Sequence, residues 1–166
     1  MTTADCMEQL LRSYSGYYDI SQQEREPFCA KAEFHSHNEQ YVLTRSARIS
    51  GSDSHEYVYF ACTELLTCRN LAELGREAWS RGLANVRPLY GHRNSDITLI
   101  VIAGTMEADV SAAARKIRRY KSYCFSLCGW SSFSLIAYSV STGNFACNSR
   151  GRCLKRHFKE TFKISS

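Results

Sequence analysis

The sequence has few residues that interrupt regular secondary structure, with 2 prolines and 9 glycines among its 166 residues. This scarcity excludes collagen-like repeats and flexible low-complexity linkers. Disorder is excluded as well, because 44% of the residues are apolar and only 22% are charged. A chain of this length corresponds to about one domain, so residues 1–166 are expected to fold as a single domain.

The sequence also lacks a long hydrophobic run. The longest strongly apolar stretch, residues 97–103, is far shorter than the roughly 20 residues that span a bilayer. The first residues include Asp5 and Glu8 and have no apolar stretch typical of a secretory signal. We therefore expect a cytoplasmic protein that does not associate with membranes.

The usual cysteine signatures of zinc and redox sites are missing too. The chain has 8 cysteines, but none of them form a Cys-x-x-Cys pair. Cys124 and Cys128 lie on a predicted strand, where they would be about 13 Å apart and too distant to share a metal ion. We expect most of the cysteines to be small, buried apolar side chains.

Motifs of the common nucleotide-using and serine-nucleophile enzymes are absent. There is no Gly-x-Ser-x-Gly elbow, and the scattered glycines match no phosphate-binding loop. No cysteine is marked by its neighbours as an activated nucleophile. The sequence therefore predicts no cofactor and favours a binding role over catalysis.

Apolar residues recur at helical spacing in three segments, and strand-like segments lie between and after them. Helices are predicted within the first 16 residues, at about 71–81 (ended by Gly82) and at about 106–119. Strands are predicted at 28–36, 41–49, 57–62, 97–103, 123–128, 133–140 and 145–148. This order, α-β-β-β-α-β-α-β-β-β, predicts an α+β fold with helices packed on a mixed sheet. Its first three strands would form an antiparallel meander.

Histidines and a carboxylate on this predicted meander form a candidate metal site. His35 and His37 occupy alternate positions and would share one face of a strand with Glu33. His55 would approach from the neighbouring segment, and imidazole and carboxylate groups are ordinary zinc ligands. The alternative stays open that His37 belongs to a turn and that His35 is a half-exposed strand residue.

The order of the first six elements resembles the core of restriction-endonuclease-like folds. Those nucleases hold Mg²⁺ with an acidic residue and a Glu-x-Lys sequence on neighbouring strands. The nearest match here is Asp53 with Glu56-Tyr57-Val58, in which Val58 stands where the lysine is required. Because element order is shared by unrelated proteins, a metal-dependent hydrolase or nuclease is kept as the alternative function.

The charge of the chain is strongly uneven, although the net value is only +5. Residues 1–110 hold 10 lysines and arginines against 15 acidic residues, whereas residues 111–166 hold 11 against one. Clustered cations attract polyanions by releasing condensed counterions. The candidate polyanion-binding residues, called the basic set below, are Arg115, Arg118, Arg119, Lys121, Arg150, Arg152, Lys155 and Arg156. The last four belong to a basic C-terminal tail at 150–166.

Aromatic residues are interleaved with these cations and are candidates for stacking on unpaired bases. They are Tyr120, Tyr123, Trp130, His157 and Phe158. Two alternatives stay open: the cations form an ordinary solvated face, or the tail neutralises the acidic part of the chain. The sequence thus predicts a binding domain whose partner is a nucleic acid or an acidic protein.

Several short motifs are spread over roughly residues 8–160. They are Tyr17-Tyr18-Asp19-Ile20, Phe34-x-x-x-Asn38-Glu39-x-Tyr41-Val42-Leu43, Glu56-Tyr57-Val58-Tyr59-Phe60, Ser122-Tyr123-x-Phe125-x-Leu127-x-Gly129-Trp130, Thr142-Gly143 and Asn148-x-x-Gly151. Together these motifs resemble an uncharacterised family of short intracellular bacterial proteins. The resemblance implies a bacterial cytoplasmic protein of unknown function and transfers no catalytic residue.

Overall fold

The computed structural model describes residues 1–36, 54–87 and 94–163, and their helices and strands form an α+β fold. The helices are α1 (Thr3–Tyr14), α2 (Cys68–Asn85), α3 (Val110–Lys116) and α4 (Leu154–Phe162). The strands are β1 (Asp19–Ser21), β2 (Ala30–Ser36), β3 (Ser54–Leu66), β4 (Asn94–Met106), β5 (Tyr120–Ser122), β6 (Trp130–Ser139) and β7 (Phe145–Cys147). The predicted fold class is confirmed.

One mixed sheet carries all of these strands, in the order β1-β2-β3-β4-β6-β5, with β7 also paired to β6. The three central strands β3, β4 and β6 run parallel to one another. The outer strands are antiparallel to their neighbours. Parallel neighbours need a crossover connection, and α2 and α3 supply it between the central strands.

Helices cover both faces of the sheet, which is why the middle of the central strand β4 is apolar on both faces. In β4, Leu99 and Val101 pack with α2 and α3, whereas Ile100 and Ile102 pack with α1 and α4. All four side chains are fully buried. A strand buried on both faces reads as a continuous apolar run, so the prediction of a central strand at 97–103 is confirmed.

Polar caps define the starts of α1 and α2. The Thr2 hydroxyl accepts a hydrogen bond from the Asp5 backbone N–H at 3.1 Å, and the Asp5 carboxylate accepts one from the Thr2 N–H at 2.8 Å. These bonds lower the pKa of Asp5. In α2 the cap is Thr67, whose hydroxyl accepts from the Asn70 N–H at 3.1 Å. The predicted end of this helix at Gly82 is wrong, because α2 continues to Asn85.

Two predicted strands behave differently in the structure. Residues 124–126 form a single 3₁₀ turn instead of a strand, and Cys124 and Phe125 have positive φ angles of 49° and 52°. In the first half of the chain β2 pairs directly with β3, so no third strand separates them as the predicted meander requires. The predicted strand 41–49 lies outside the described residues.

The C-terminal tail and the cysteines also depart from prediction. Residues 151–153 form a 3₁₀ turn that leads into α4, where the sequence indicated only a basic tail. The helix is explained by Leu154, Phe158 and Phe162, which repeat every four residues and are buried against the sheet and α1. Only two of the eight cysteines are buried, Cys6 and Cys128, so the expectation of mostly buried thiols is wrong.

Candidate anion-binding site

A cavity of about 300 Å³ lies where the end of α3, the edge strand β5, the start of β6 and the turn after β7 meet. Three of its lining residues are arginines, and none is acidic. It is called the arginine pocket below. It is lined by Arg118, Arg119, Tyr120, Ser132, Phe133, Asn148, Ser149 and Arg150.

Backbone pairing fixes two of the three arginines. Helix α3 ends at Lys116, and the extended backbone of Ile117 directs the chain towards the edge of the sheet. The Arg119 carbonyl then accepts a hydrogen bond from the Phe133 N–H at 3.2 Å. In the next position Tyr120 pairs with Ser132 of β6. Arg118 and Arg119 are thus carried on a segment that is hydrogen-bonded to the sheet.

Arg119 is held in an unusual environment for a guanidinium group. Its Cζ lies 6.0 Å from the centre of the Phe133 ring, a distance at which the cation and the aromatic ring attract each other. Burial, reinforced by the positive charge of Arg76, lowers the pKa of Arg119. Its Nε is buried and has no hydrogen-bond partner within the part of the chain that the structure describes.

Arg150 reaches the pocket from the opposite side, where Asp96 orients it. The guanidinium lies 3.6 Å from a carboxylate oxygen of Asp96. The same oxygen accepts a hydrogen bond from the Ser132 hydroxyl at 2.6 Å. Because Asp96 is buried and outside the pocket lining, it anchors Arg150 without placing a negative charge at the pocket surface.

Asn148 joins the two sides of the pocket. Its side-chain oxygen accepts hydrogen bonds from the backbone N–H groups of Leu135 (3.0 Å) and Gly151 (2.8 Å). Its amide nitrogen donates to the carbonyls of Ile117 (3.1 Å) and Phe133 (3.0 Å). One buried amide therefore ties the turn that carries Arg150 to β6 and to the end of α3.

Gly151 lets that turn lie directly on the sheet. A Cβ atom at this position would be only 1.9 Å from the carbonyl oxygen of Leu135, so no other residue fits without a shift of the backbone. The close approach of the turn to β6 explains how Arg150 comes to face the residues that follow α3.

The remaining residues of the basic set lie outside the pocket lining. Arg115 is exposed on α3, and Lys121 is exposed on β5 with its Nζ 5.4 Å from the Tyr123 ring centre. Arg156 is paired with Glu160 on α4 at 2.8 Å. Arg152 is exposed and Lys155 is half-buried at the start of the same helical region. The structure thus brings three of the eight predicted cations together around one cavity.

The turn between β5 and β6, residues 123–129, follows the pocket residue Tyr120 along the chain and has exposed apolar side chains. Phe125 is 100% exposed and Leu127 is 66% exposed. Two backbone hydrogen bonds close the turn: Tyr123 N–H to the Gly129 carbonyl at 2.9 Å, and Cys128 N–H to the Tyr123 carbonyl at 3.2 Å. The turn is therefore a defined feature with an apolar tip.

This turn also corrects the predicted separation of Cys124 and Cys128. The Cys128 N–H donates to the Tyr123 carbonyl at 3.2 Å, which brings Cys128 back towards Cys124, so the two residues are not about 13 Å apart as on a strand. Interaction with the Cys124 thiol raises the pKa of Cys128. The geometry was inaccessible from the alternation of apolar and polar residues, which indicates an extended chain.

The predicted stacking residues differ in their accessibility. Tyr120 is 63% exposed and lines the pocket, whereas Phe158 is fully buried in the core and unable to stack on a base. Tyr123 is half-buried, with its hydroxyl 2.9 Å from that of Ser131. Trp130 is half-buried as well. Half-buried His157 lies 3.0 Å from the Ser13 hydroxyl, on the α1 side of the sheet.

The predicted metal-site residues are only partly described. Glu33 is paired with Lys31 at 2.5 Å, and the β2–β3 register sets His35 opposite His55. Glu56 accepts a hydrogen bond from the Tyr18 hydroxyl at 2.6 Å. The other two residues of the sequence hypothesis, His37 and Asp53, lie outside the described residues. A metal site here stays a prediction.

A different group of three ligand atoms comes together on the surface near α2. The Sγ of Cys68 and the carboxylate oxygens of Glu107 and Asp109 lie within 4.8 Å of one another. Burial raises the pKa of Cys68, and hydrogen bonding to Asp109 raises it further. A soft thiol and hard carboxylates favour different metals, and we assign no function to this group.

Comparison with known proteins gives one match. The sequence profile of a family described as a domain of unknown function (DUF8052) matches residues 2–160. No curated protein and no solved structure matches the chain. Among residues 1–36, 54–87 and 94–163, no helix combines the length and the apolar character needed to cross a membrane.

Proposed function

We propose that this chain, which belongs to the family described as a domain of unknown function (DUF8052), binds an anionic group in the arginine pocket. The group is a phosphate or a carboxylate, and Arg118, Arg119 and Arg150 are its ligands. The observation that carries the proposal is the pocket lining itself, which has three arginines and no acidic residue.

Arginine is well suited to this role. Its planar guanidinium offers parallel N–H donors that match two oxygens of a phosphate or carboxylate. Ser149 lines the same cavity and adds a hydroxyl group that is able to donate a further hydrogen bond. The polar contacts of Asn148 to the backbone are already made, so we give it a positioning role.

Neutralisation within the chain is the main rival explanation for the cations, and two pairs support it. Arg150 lies beside Asp96, and Arg156 is paired with Glu160. For Arg118 and Arg119, however, the described residues provide no carboxylate partner within 4.0 Å. The pocket therefore keeps an excess of positive charge after these internal pairs are made.

We further propose that the chain is a bacterial cytoplasmic binding domain that uses no cofactor. The rest of the basic set would raise the local concentration of anionic partners without contacting them in the pocket. Such long-range attraction is strongly reduced by salt.

Isothermal titration calorimetry with pyrophosphate in low-salt buffer tests the proposal. We expect saturable binding that weakens as salt is added. Arg119→Gln should lower the affinity about tenfold or more, because a hydrogen bond to a charged group contributes about 1.5–3 kcal/mol. Arg115→Gln is the matched control, since Arg115 is an exposed arginine of α3 outside the pocket. Equal effects of the two substitutions, or no binding by the unmodified protein, would contradict the proposal.

A metal-dependent hydrolase remains the second candidate, because the strand register sets His35 opposite His55. This candidate predicts a bound metal in the purified protein, or a rise in melting temperature on adding Zn²⁺, Mn²⁺ or Mg²⁺. A rise that is lost in His55→Ala would support it. Absence of both signals would exclude it.

A further inference from the structure

Exposed apolar side chains are concentrated in the segment that begins at the pocket residue Tyr120 and continues through the β5–β6 turn. Among the residues that the structure describes, six large apolar side chains are exposed, and three of them belong to β5 and the β5–β6 turn. These three are Tyr120, Phe125 and Leu127. Isolated exposed apolar residues need no explanation, but three in one short segment that begins at a charged cavity indicate a binding surface.

The backbone of the β5–β6 turn adopts an unfavourable conformation that exposes its apolar side chains. Cys124 and Phe125 both have φ near +50°, a region that is unfavourable for residues with a side chain. Such a conformation costs of the order of 1 kcal/mol or more and persists where the surrounding structure enforces it. Here the two hydrogen bonds that close the turn enforce it, and the result is a fully exposed phenylalanine.

The segment of the chain that carries these exposed residues has a positive charge. No acidic residue occurs between Asp109 and Glu160, a segment that includes the pocket arginines and the whole β5–β6 turn. Arg118 and Lys121 are both exposed on either side of Tyr120. The partner of this surface must therefore combine negative charge with flat apolar groups.

We propose that the surface binds single-stranded nucleic acid, with a backbone phosphate in the arginine pocket and unpaired bases stacked on Tyr120 and Phe125. This inference rests on the proposed function and names its partner. Unpaired nucleotides supply both required features, because each has a charged phosphate and an exposed aromatic face. A duplex hides the faces of its bases, so it would engage only the arginines. Because every base has an aromatic face, we expect stacking not to discriminate between nucleotide sequences.

Fluorescence anisotropy with a labelled oligothymidylate of about 12 nucleotides tests this inference, since small domains cover roughly 4–16 nucleotides of a single strand. We expect the single strand to bind more tightly than a duplex of the same length. Phe125→Ala and Tyr120→Ala should each weaken binding by about tenfold, as is typical for the loss of one stacked base. Leu65→Ala is the matched control, because Leu65 is an exposed apolar residue on β3.

The outcomes separate this inference from the proposed function. If pyrophosphate binds but the oligonucleotide does not, or if duplex and single strand bind equally, the nucleic-acid inference is overturned and the anion site stands. If Phe125→Ala and Leu65→Ala have the same effect, stacking is refuted. Tighter binding to a polyglutamate peptide or to phosphatidylserine vesicles than to the single strand would assign the surface to a different partner and overturn the inference.

Discussion

Replacement of Asn148 by alanine should destabilise the fold and disrupt the arginine pocket together. The side chain is 2% exposed and makes four hydrogen bonds, all to backbone groups. These bonds join β6 to the residues before Arg118 and to the turn that carries Arg150. Alanine removes all four hydrogen bonds and leaves two backbone N–H groups and two backbone carbonyls without the Asn148 side chain as their partner.

The expected loss of stability follows from these contacts. A hydrogen bond contributes about 0.5–1.5 kcal/mol net, and a buried polar group left without a partner costs about 1–3 kcal/mol. Allowing for some entry of water, we expect Asn148→Ala to lower the free energy of unfolding by about 3–5 kcal/mol. That is a large part of the roughly 5–15 kcal/mol available to a domain of this size.

Urea denaturation followed by circular dichroism measures this loss. Asn144→Ala is the matched control, because Asn144 is exposed in the turn before β7, and we expect its effect to stay within about 0.5 kcal/mol. Asn148→Asp keeps the oxygen that accepts from Leu135 and Gly151, so it should fall between Asn148→Ala and the unmodified protein. A loss below about 1 kcal/mol for Asn148→Ala would refute the assigned role.

Three further predictions concern single groups. Gly151→Ala should cost about 2–3 kcal/mol by thermal unfolding, because its Cβ would meet the β6 backbone, whereas Gly16→Ala, in open space, should be nearly neutral. Asp96→Asn should lower stability by about 1–2 kcal/mol in urea, since the partly exposed Arg150 loses its carboxylate. Burial lowers the pKa of His157, so its uncharged form is favoured on folding; stability should fall as pH drops below about 6.5, and His157→Gln should reduce that fall.

The central strand and the helix before it could be predicted, because burial determines the residue types of these segments. The run at 97–103 is apolar apart from Thr98, as expected for a strand that is covered by helices on both faces. The stripe of Leu71, Leu74 and Ala78 likewise indicated the buried face of α2. When burial determines the residue types along a segment, the apolar pattern of the sequence is enough to predict a helix or a strand there.

The β5–β6 turn could not be predicted, because its pattern has a different origin. Tyr123, Phe125 and Leu127 alternate with smaller residues, which normally indicates a strand with one buried face. In the structure Phe125 and Leu127 are exposed, so no core accounts for the alternation. If these residues serve a partner, as we propose, the pattern reflects binding and not folding.

Helix α4 shows the opposite case, in which the sequence contains a helical pattern alongside a strong charge signal. Its lysines and arginines indicated a tail, although Leu154, Phe158 and Phe162 recur at a spacing of four. The basic residues occupy the outer face of an amphipathic helix. Charge content alone therefore does not distinguish a basic tail from an amphipathic helix in this segment.

Only part of the candidate site was recoverable from sequence. Arg118, Arg119 and Arg150 stood out by charge, but their convergence depends on the crossing of α3 and the turn after β7. Asn148 and Gly151 appeared in the sequence only as a family-like motif. Their physical meaning, an amide that bridges four backbone groups and a close approach to β6, requires the tertiary structure.

The central claim is tested most directly by following the Nε–H resonance of Arg119 in an NMR titration with inorganic phosphate. The account predicts a saturable change in the chemical shift of Arg119, with parallel changes at Arg118 and Arg150 and none at Arg115. An Arg119 Nε–H signal that stays unchanged at millimolar phosphate, or changes of equal size at all four arginines, would contradict the existence of an anion site in this pocket.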